Sequence, residues 1–244
     1  MCEKCRPNPL LSLAPSRRAA LVFAASAVGL SLVNAAGAKE TKKPPKSENV
    51  VSPEAALERL EEGNERYVEG VARRHDFRHE REALAGGQNP YAAILSCADS
   101  RIAPEYAFDS GRGDLFVCRV AGNFANDDMI ASLEYAVAVL ATPLILVLGH
   151  DACGAIDSTI KSLKDNTTLP GHLPSLVMAL APAVKTASGQ GGDPLANAIR
   201  QNVLDTVAKL RSAGPILSEA VTTRKLKVVG GIYRLKDGRV DLVS

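Results

Sequence analysis

Two short stretches carry residue types that do chemistry: Cys97-Ala98-Asp99-Ser100-Arg101 and Gly149-His150-Asp151-Ala152-Cys153-Gly154. Each follows an apolar run, Tyr91 to Ser96 and Pro143 to Leu148, that reads as a buried strand. Two cysteines and one histidine therefore fall at the carboxyl ends of two strands, the edge where open α/β sheets bind ligands. Thiolate and imidazole are zinc ligands, and three of them leave the fourth tetrahedral position free for water. The pattern predicts a catalytic zinc site built from Cys97, His150 and Cys153. Zinc lowers the pKa of a bound water from 15.7 to about 7, which yields hydroxide near neutral pH. Asp99 and Arg101 stand beside the first cysteine, where Arg101 can pair with Asp99 and hold it as a hydrogen-bond acceptor. A structural zinc gains little from such a pair.

Each piece also has a plainer reading. Cys97 alone is a small buried hydrophobe, and His150 with Cys153 alone are core residues. Cys118 lies in the alternating strand Phe116-Val117-Cys118-Arg119 and reads as core; a closed structural zinc site using Cys118 is the alternative. Residues 73–82 are densely charged and read as a solvated helix, with His75 or His79 as a proton shuttle the alternative.

The elements that must position these residues follow from periodicity. Ser52-Pro53-Glu54 starts a helix, with Ser52 as N-cap and Pro53 at the first helical position, and Ala56, Leu57, Leu60 and Tyr67 form its stripe. Leu115–Val120 is the second strand and Asp127–Leu140 a helix. Asn197–Leu210 is an amphipathic helix with Ile199, Val203, Val207 and Leu210 at helical spacing. Lys225–Tyr233 is the fourth strand, and Val240–Val243 closes a hairpin after Lys236-Asp237-Gly238. Alternating strands and helices imply an α/β fold, a mostly parallel sheet flanked by helices on both faces. No internal repeat is present.

Residues 1–38 read as a signal peptide. Arg17-Arg18 precede an apolar run from Ala19 to Val33 that ends in Ala36-Gly37-Ala38, an A-x-A cleavage pattern. The run is shorter than the roughly 20 residues a membrane span needs; an uncleaved anchor is the alternative. The arginine pair suggests twin-arginine export, which carries folded proteins, against an ordinary secretory leader. A periplasmic location with no stable membrane anchor after cleavage is expected. Cys2 and Cys5 fall in the removable leader, and a lone C-x-x-C is weak evidence for chemistry. The chain has 29 Lys+Arg and 27 Asp+Glu, and the leader holds four of the former and one of the latter. The remainder is therefore 25 against 26, net −1, and nothing points to nucleic acid. Residues 39–52 read as a flexible linker. About 206 residues remain after the leader, enough for one domain over 53–244. Three cysteines are no disulfide framework; export in a folded, metal-loaded state would protect thiolate ligands.

Cys-Ala-Asp-Ser-Arg followed by Gly-His-x-x-Cys-Gly resembles the β-class carbonic anhydrases. The resemblance includes Gly87-Gln88, Arg119-Val120-Ala121-Gly122-Asn123, Leu133-Glu134-Tyr135-Ala136 and Gly230-Gly231-Ile232-Tyr233. It implies a Rossmann-like sheet of four parallel strands plus an antiparallel edge strand, with an N-terminal helical arm reaching to a partner. It implies Zn2+ held by Cys97, His150 and Cys153, and reversible hydration of CO2 to bicarbonate and a proton by zinc-bound hydroxide. Asp99 and Arg101 match the catalytic dyad. Gln88 matches the amide that hydrogen-bonds substrate, usually from the neighbouring subunit. Phe116, Ala121 and Tyr135 match the wall of an apolar cleft, and Gly154 follows the last ligand as in the family. A homodimer or higher even homo-oligomer is expected. Carbon disulfide or carbonyl sulfide hydrolysis at the same site is the alternative activity, and a non-catalytic zinc module the third reading. The family has a blocked state, in which the dyad carboxylate ligates zinc, and an open one. Members that favour the blocked state carry a bicarbonate pocket with a Trp; this chain has none, and Ile94 stands three residues before Cys97. The open state, with Asp99 held by Arg101, is expected.

Overall fold

The computed structural model describes residues 45–244. The expected leader, Cys2, Cys5 and residues 39–44 of the expected linker lie outside the described residues. A turn of 3-10 helix at Ser47–Asn49 precedes α1 (Pro53–Glu69) and α2 (Phe77–Leu84). Then follow β1 (Ala92–Ser96), α3 (Pro104–Ala107), β2 (Leu115–Arg119), α4 (Asp127–Ala138) and β3 (Leu144–His150). The chain continues through α5 (Gly154–Lys164), α6 (Leu173–Ala187), α7 (Pro194–Ser212) and α8 (Ile216–Thr222) to β4 (Lys227–Tyr233) and β5 (Val240–Leu242). Among the described residues no helix is long and apolar enough to cross a membrane.

The helices start where side chains can satisfy their free N–H groups. Ser52 Oγ accepts from Ala55 N ahead of α1, Asn126 Oδ1 from Met129 N ahead of α4, and Asp193 Oδ1 from Leu195 N ahead of α7. The N-cap of α5 is Cys153, whose side chain makes no capping bond. That position is given to the site.

The sheet has five strands in the order β2-β1-β3-β4-β5. The first four are parallel and β5 runs antiparallel to β4. This is the α/β arrangement read from the sequence. From β1 the chain moves outward to β2, then returns past β1 to β3. The connections thus leave β1 and β3 in opposite directions, which opens a crevice at their carboxyl ends.

Side-chain alternation feeds both faces of the sheet. Ala93, Leu95, Ile145, Val147 and Val228 pack with Ile156, Leu180, Ile199, Val203 and Val207 of α5, α6 and α7. Ala92, Ile94, Leu144, Leu146 and Val229 pack with Ala56 and Leu60 of α1 and with Phe108. Every residue of β1 and β3 is buried, as expected of parallel strands covered on both sides.

Residues 45–52 depart from the linker expectation. Lys46 Nζ reaches Asp114 Oδ1 at 2.8 Å, Lys46 N donates to Asn89 Oδ1 at 3.0 Å, and Asn49 is buried with its amide on Asp114 at 3.0 Å. A carboxylate far along the chain pins this stretch to the body. The helical arm has two parts. The α1 stripe lies on the chain's own sheet, where Asn64 Nδ2 donates to Ala107 O and Gly238 O. Within α2 no residue is buried, which matches a solvated charged helix.

Candidate metal centre

Cys97 directly follows β1, His150 ends β3, and Cys153 precedes α5. Their ligand atoms all lie within 4.8 Å of one another, and all three residues are buried. Sequence separations of more than 50 residues thus close at the crevice between β1 and β3.

The histidine is oriented by its neighbours. His150 Nδ1 lies 2.8 Å from Asp151 O and donates to it, which leaves the lone pair on Nε2. Asp151 is itself fixed from the end of β4: its N donates to Tyr233 O at 3.2 Å, and its Oδ1 accepts from Leu235 N at 3.0 Å. His150 Nε2 is buried without a hydrogen-bond partner. The nearest carboxylate oxygen, Asp99 Oδ2, stands 3.8 Å away, too far for a hydrogen bond. A buried, unpartnered lone pair facing two sulfurs fits a metal cation, and the donor set of one imidazole and two thiols fits zinc.

The electrostatics agree. The Cys153 thiol beside Cys97, with help from His150 and the Gly122 N–H, pulls the Cys97 thiol down to about 4 against its burial. Cys153 faces that thiolate and is buried, and both effects push it up, while the N–H groups of Ile156 and Ala155 pull the other way. Burial disfavours the His150 cation, but the Cys97 thiolate overrides this and raises it. A cluster that can place only one negative charge comfortably is one a cation relieves.

The dyad stands at the rim. Arg101 donates from Nε to Asp99 Oδ1 at 2.9 Å and from Nη2 to Oδ2 at 2.7 Å, a forked pair. Arg101 N also donates to Asp99 Oδ1, and Nη2 reaches Ala152 O at 3.3 Å. The Arg101 guanidinium, opposed by partial burial, holds the Asp99 carboxyl well below the usual range. Asp99 therefore rests on arginine, as expected of the open arrangement.

The other expected site residues scatter more. The Phe116 and Tyr135 rings lie 6.3 Å apart, with Tyr135 half-exposed. Ala121 is half-buried in the turn after β2, and Gly154 opens α5 on the surface. Gln88 is exposed and makes no contact with the cluster of its own chain. Cys118 is buried in β2 outside the cluster, which removes the closed four-ligand alternative. His75 faces Asp109 and Glu80, and His79 pairs with Asp76 at 2.6 Å, so neither touches the cluster.

Three residues around Cys97 had no role assigned from sequence. Arg119 donates from Nε to Cys97 O at 2.9 Å and from Nη2 to Asp99 O at 2.7 Å, gripping the backbone of both functional residues. Gly122 N lies 3.3 Å from Cys97 Sγ. Asn202 Nδ2 donates to Gly122 O at 2.8 Å. The first two fall in the quoted Arg119–Asn123 run. Asn202 had a signal of its own: a polar residue inside the apolar stripe of α7.

Comparisons with known proteins agree with this geometry. The carbonic anhydrase family model matches residues 92–240, more than half of the chain. Carbonic anhydrase 2 of Mycobacterium tuberculosis is 41% identical over 192 residues, covering 78% of this chain and 93% of that one. A solved structure of the β-carbonic anhydrase CcaA superposes with a TM-score of 0.59 at 30% identity, covering 77% of this chain and 98% of the other. A structure from work on two tetrameric β-carbonic anhydrases of Sordaria macrospora gives a TM-score of 0.62 at 26% identity, over 70% and 88% of the two chains. The crevice that gathers two cysteines and a histidine, the forked Asp99–Arg101 pair and these likenesses converge on one conclusion: the chain belongs to the β-class carbonic anhydrases and is a carbonate dehydratase.

Proposed function

We propose that Cys97, His150 and Cys153 hold one zinc ion and that the enzyme hydrates CO2 reversibly to bicarbonate and a proton there. The observation that carries this is the buried, unpartnered His150 Nε2 converging with two thiols. Zinc bound at such a site lowers the pKa of a water from 15.7 to about 7, which supplies a nucleophile at neutral pH.

The chain's own residues do the rest. Asp99, fixed at both oxygens by Arg101, carries no proton near neutral pH. It accepts a hydrogen bond and does not donate one, so it orients the attacking water's remaining hydrogen away from the substrate. Arg101 is half-exposed, so the rim of the site opens to solvent, where buffer takes up the departing proton. CO2 has no net dipole and no hydrogen to donate. The apolar wall of Phe116, Ala121 and Tyr135 suits it better than it suits water. Gln88, exposed on its own subunit, serves the site of a second copy, which calls for a homodimer or a higher even oligomer. The leader read in residues 1–38 supports a periplasmic location. Nothing in the site favours the carbon disulfide or carbonyl sulfide reaction.

The test is CO2 hydration by stopped flow, on protein as purified, after chelation, and after zinc is returned. Activity should track zinc at about one ion per chain. Full activity in protein stripped of metal overturns the reading. Arg101→Ala should abolish turnover while zinc stays bound, because Asp99 is then free to turn toward the metal.

A further inference from the structure

We propose that Asn202, on α7, is a positioning residue for the Cys97 sulfur and acts through Gly122. The proposal rests on the zinc reading above. It starts from the turn Val120–Asn123, closed by Asn123 N donating to Val120 O at 2.9 Å. Gly122 is the third residue of that turn and has φ +85°, as a type II turn requires there. A Cβ at Gly122 would stand 2.8 and 2.9 Å from the two Cδ atoms of Leu180, so glycine is needed for space as well.

This conformation turns the Gly122 N–H toward Cys97 Sγ, at 3.3 Å, and its carbonyl toward α7. Glycine is the residue least able to hold such a direction by itself, because its backbone torsions are the freest. Asn202 supplies the hold: its Nδ2 donates to Gly122 O at 2.8 Å. The Asn123 N to Val120 O bond holds the turn and Asn202 holds the Gly122 carbonyl, and the two together restrain the N–H aimed at sulfur. Asn202 is 4% exposed and sits between Ile199 and Val203 in the buried stripe. A polar side chain there is costly unless it is bonded, and Gly122 O is the acceptor it has. An N–H donor on a thiolate draws charge from the sulfur and fixes its lone pairs. Outer partners of metal ligands change metal affinity by about 10–100-fold when removed.

The test uses the full chain with two variants that both remove the donor. Asn202→Leu keeps the branched shape in a somewhat larger side chain, and Asn202→Ala leaves a small space at a position where alanine suits a helix. Zinc release to a chelator and the thiolate-to-cobalt absorption band of cobalt-loaded protein are read beside the thermal midpoint. We expect both variants to release zinc about 10–100-fold faster and to shift the cobalt band. A role in packing alone moves the midpoint and not the band. If Asn202→Leu does not fold, Asn202→Ala carries the reading. A folded variant with the parent's release rate and band overturns the proposal. A parent protein that holds no metal overturns the zinc reading and this inference with it; normal parent zinc with unchanged variants overturns this inference alone.

Discussion

Gly149 precedes His150 in β3 and faces α7. A Cβ placed there would stand 2.7 Å from Val203 Cγ2, with Ile199 Cγ2 at 3.7 Å and Asn123 Nδ2 at 3.8 Å. Val203 cannot give way easily. It is fully buried in the main core and, being β-branched, has one favoured rotamer in a helix. Gly149→Ala therefore overpacks this seam, at a cost of about 1–3 kcal/mol. In a domain of this size each kcal/mol moves the thermal midpoint by about 2–4 °C, so the expected drop is about 2–12 °C. The same push acts on the backbone that carries His150, so zinc retention should fall with the midpoint. The clash names its own remedy: Val203→Ala removes the offending methyl. In the double variant, part of the Gly149→Ala cost should return, with a coupling of about 0.5–3 kcal/mol. The assay is denaturant and thermal unfolding of all four proteins at one pH and zinc concentration. Two results refute the reasoning: Gly149→Ala melting with the parent, or effects that add within about 0.5 kcal/mol.

Cys153→Ser should lose zinc and activity together, while Cys118→Ser should keep both; loss of metal in Cys118→Ser, measured by elemental analysis, would falsify the ligand assignment. Burial raises the Cys118 thiol, so it should also resist thiol reagents in native protein. Burial pushes the Asp109 carboxyl up, but Arg66 Nε at 2.7 Å, Arg73 N at 3.0 Å and the nearby His75 ring draw it below its ordinary range. Its stabilising effect is then fully present above the unfolded value of about 3.9 and disappears as pH falls through the lower folded value. Asp109→Asn should cost about 1–3 kcal/mol at neutral pH, and its stability should converge on the parent's as the solution is acidified; a constant gap down to the acid limit counts against this. Replacing Arg17 and Arg18 with Lys should block export, as followed by fractionation. Unchanged export would leave only a general secretory leader.

The sequence was most legible where chemistry and periodicity coincide. The ligand motifs ended apolar runs, so they could be placed at strand ends, and the parallel order then brought them together. Contacts between remote residues were harder to see. Lys42-Lys43-Pro44-Pro45-Lys46 reads as solvated linker because nothing local shows that Lys46 finds Asp114. The helices α3, α5, α6 and α8 went unread. Pro182 stands inside α6, where proline argues against a helix in sequence, and α8 is only seven residues long. Strand and helix ends moved by a few residues, as with Asp127–Leu140, which stops at Ala138. The fork of Arg119 on Cys97 O and Asp99 O depends on register: Ser96 pairs with Arg119 across β1 and β2. Register cannot be read from either strand alone.

The Lys46 anchorage has a consequence for how the enzyme can be handled. Asn89 and Asp114, which hold Lys46, stand just ahead of β1 and β2, at the amino ends of the strands. The cluster lies at the carboxyl ends of β1 and β3. Five-residue parallel strands separate the two edges by about 16 Å. A carrier protein, bead or electrode coupled ahead of Lys46 is therefore tethered to the rear of the sheet. The cluster of the same chain then faces away from the support, where coupling through Arg101's rim would cover it; because Gln88 is the neighbour of Asn89, the tether must be long enough to clear the second copy that Gln88 is proposed to serve.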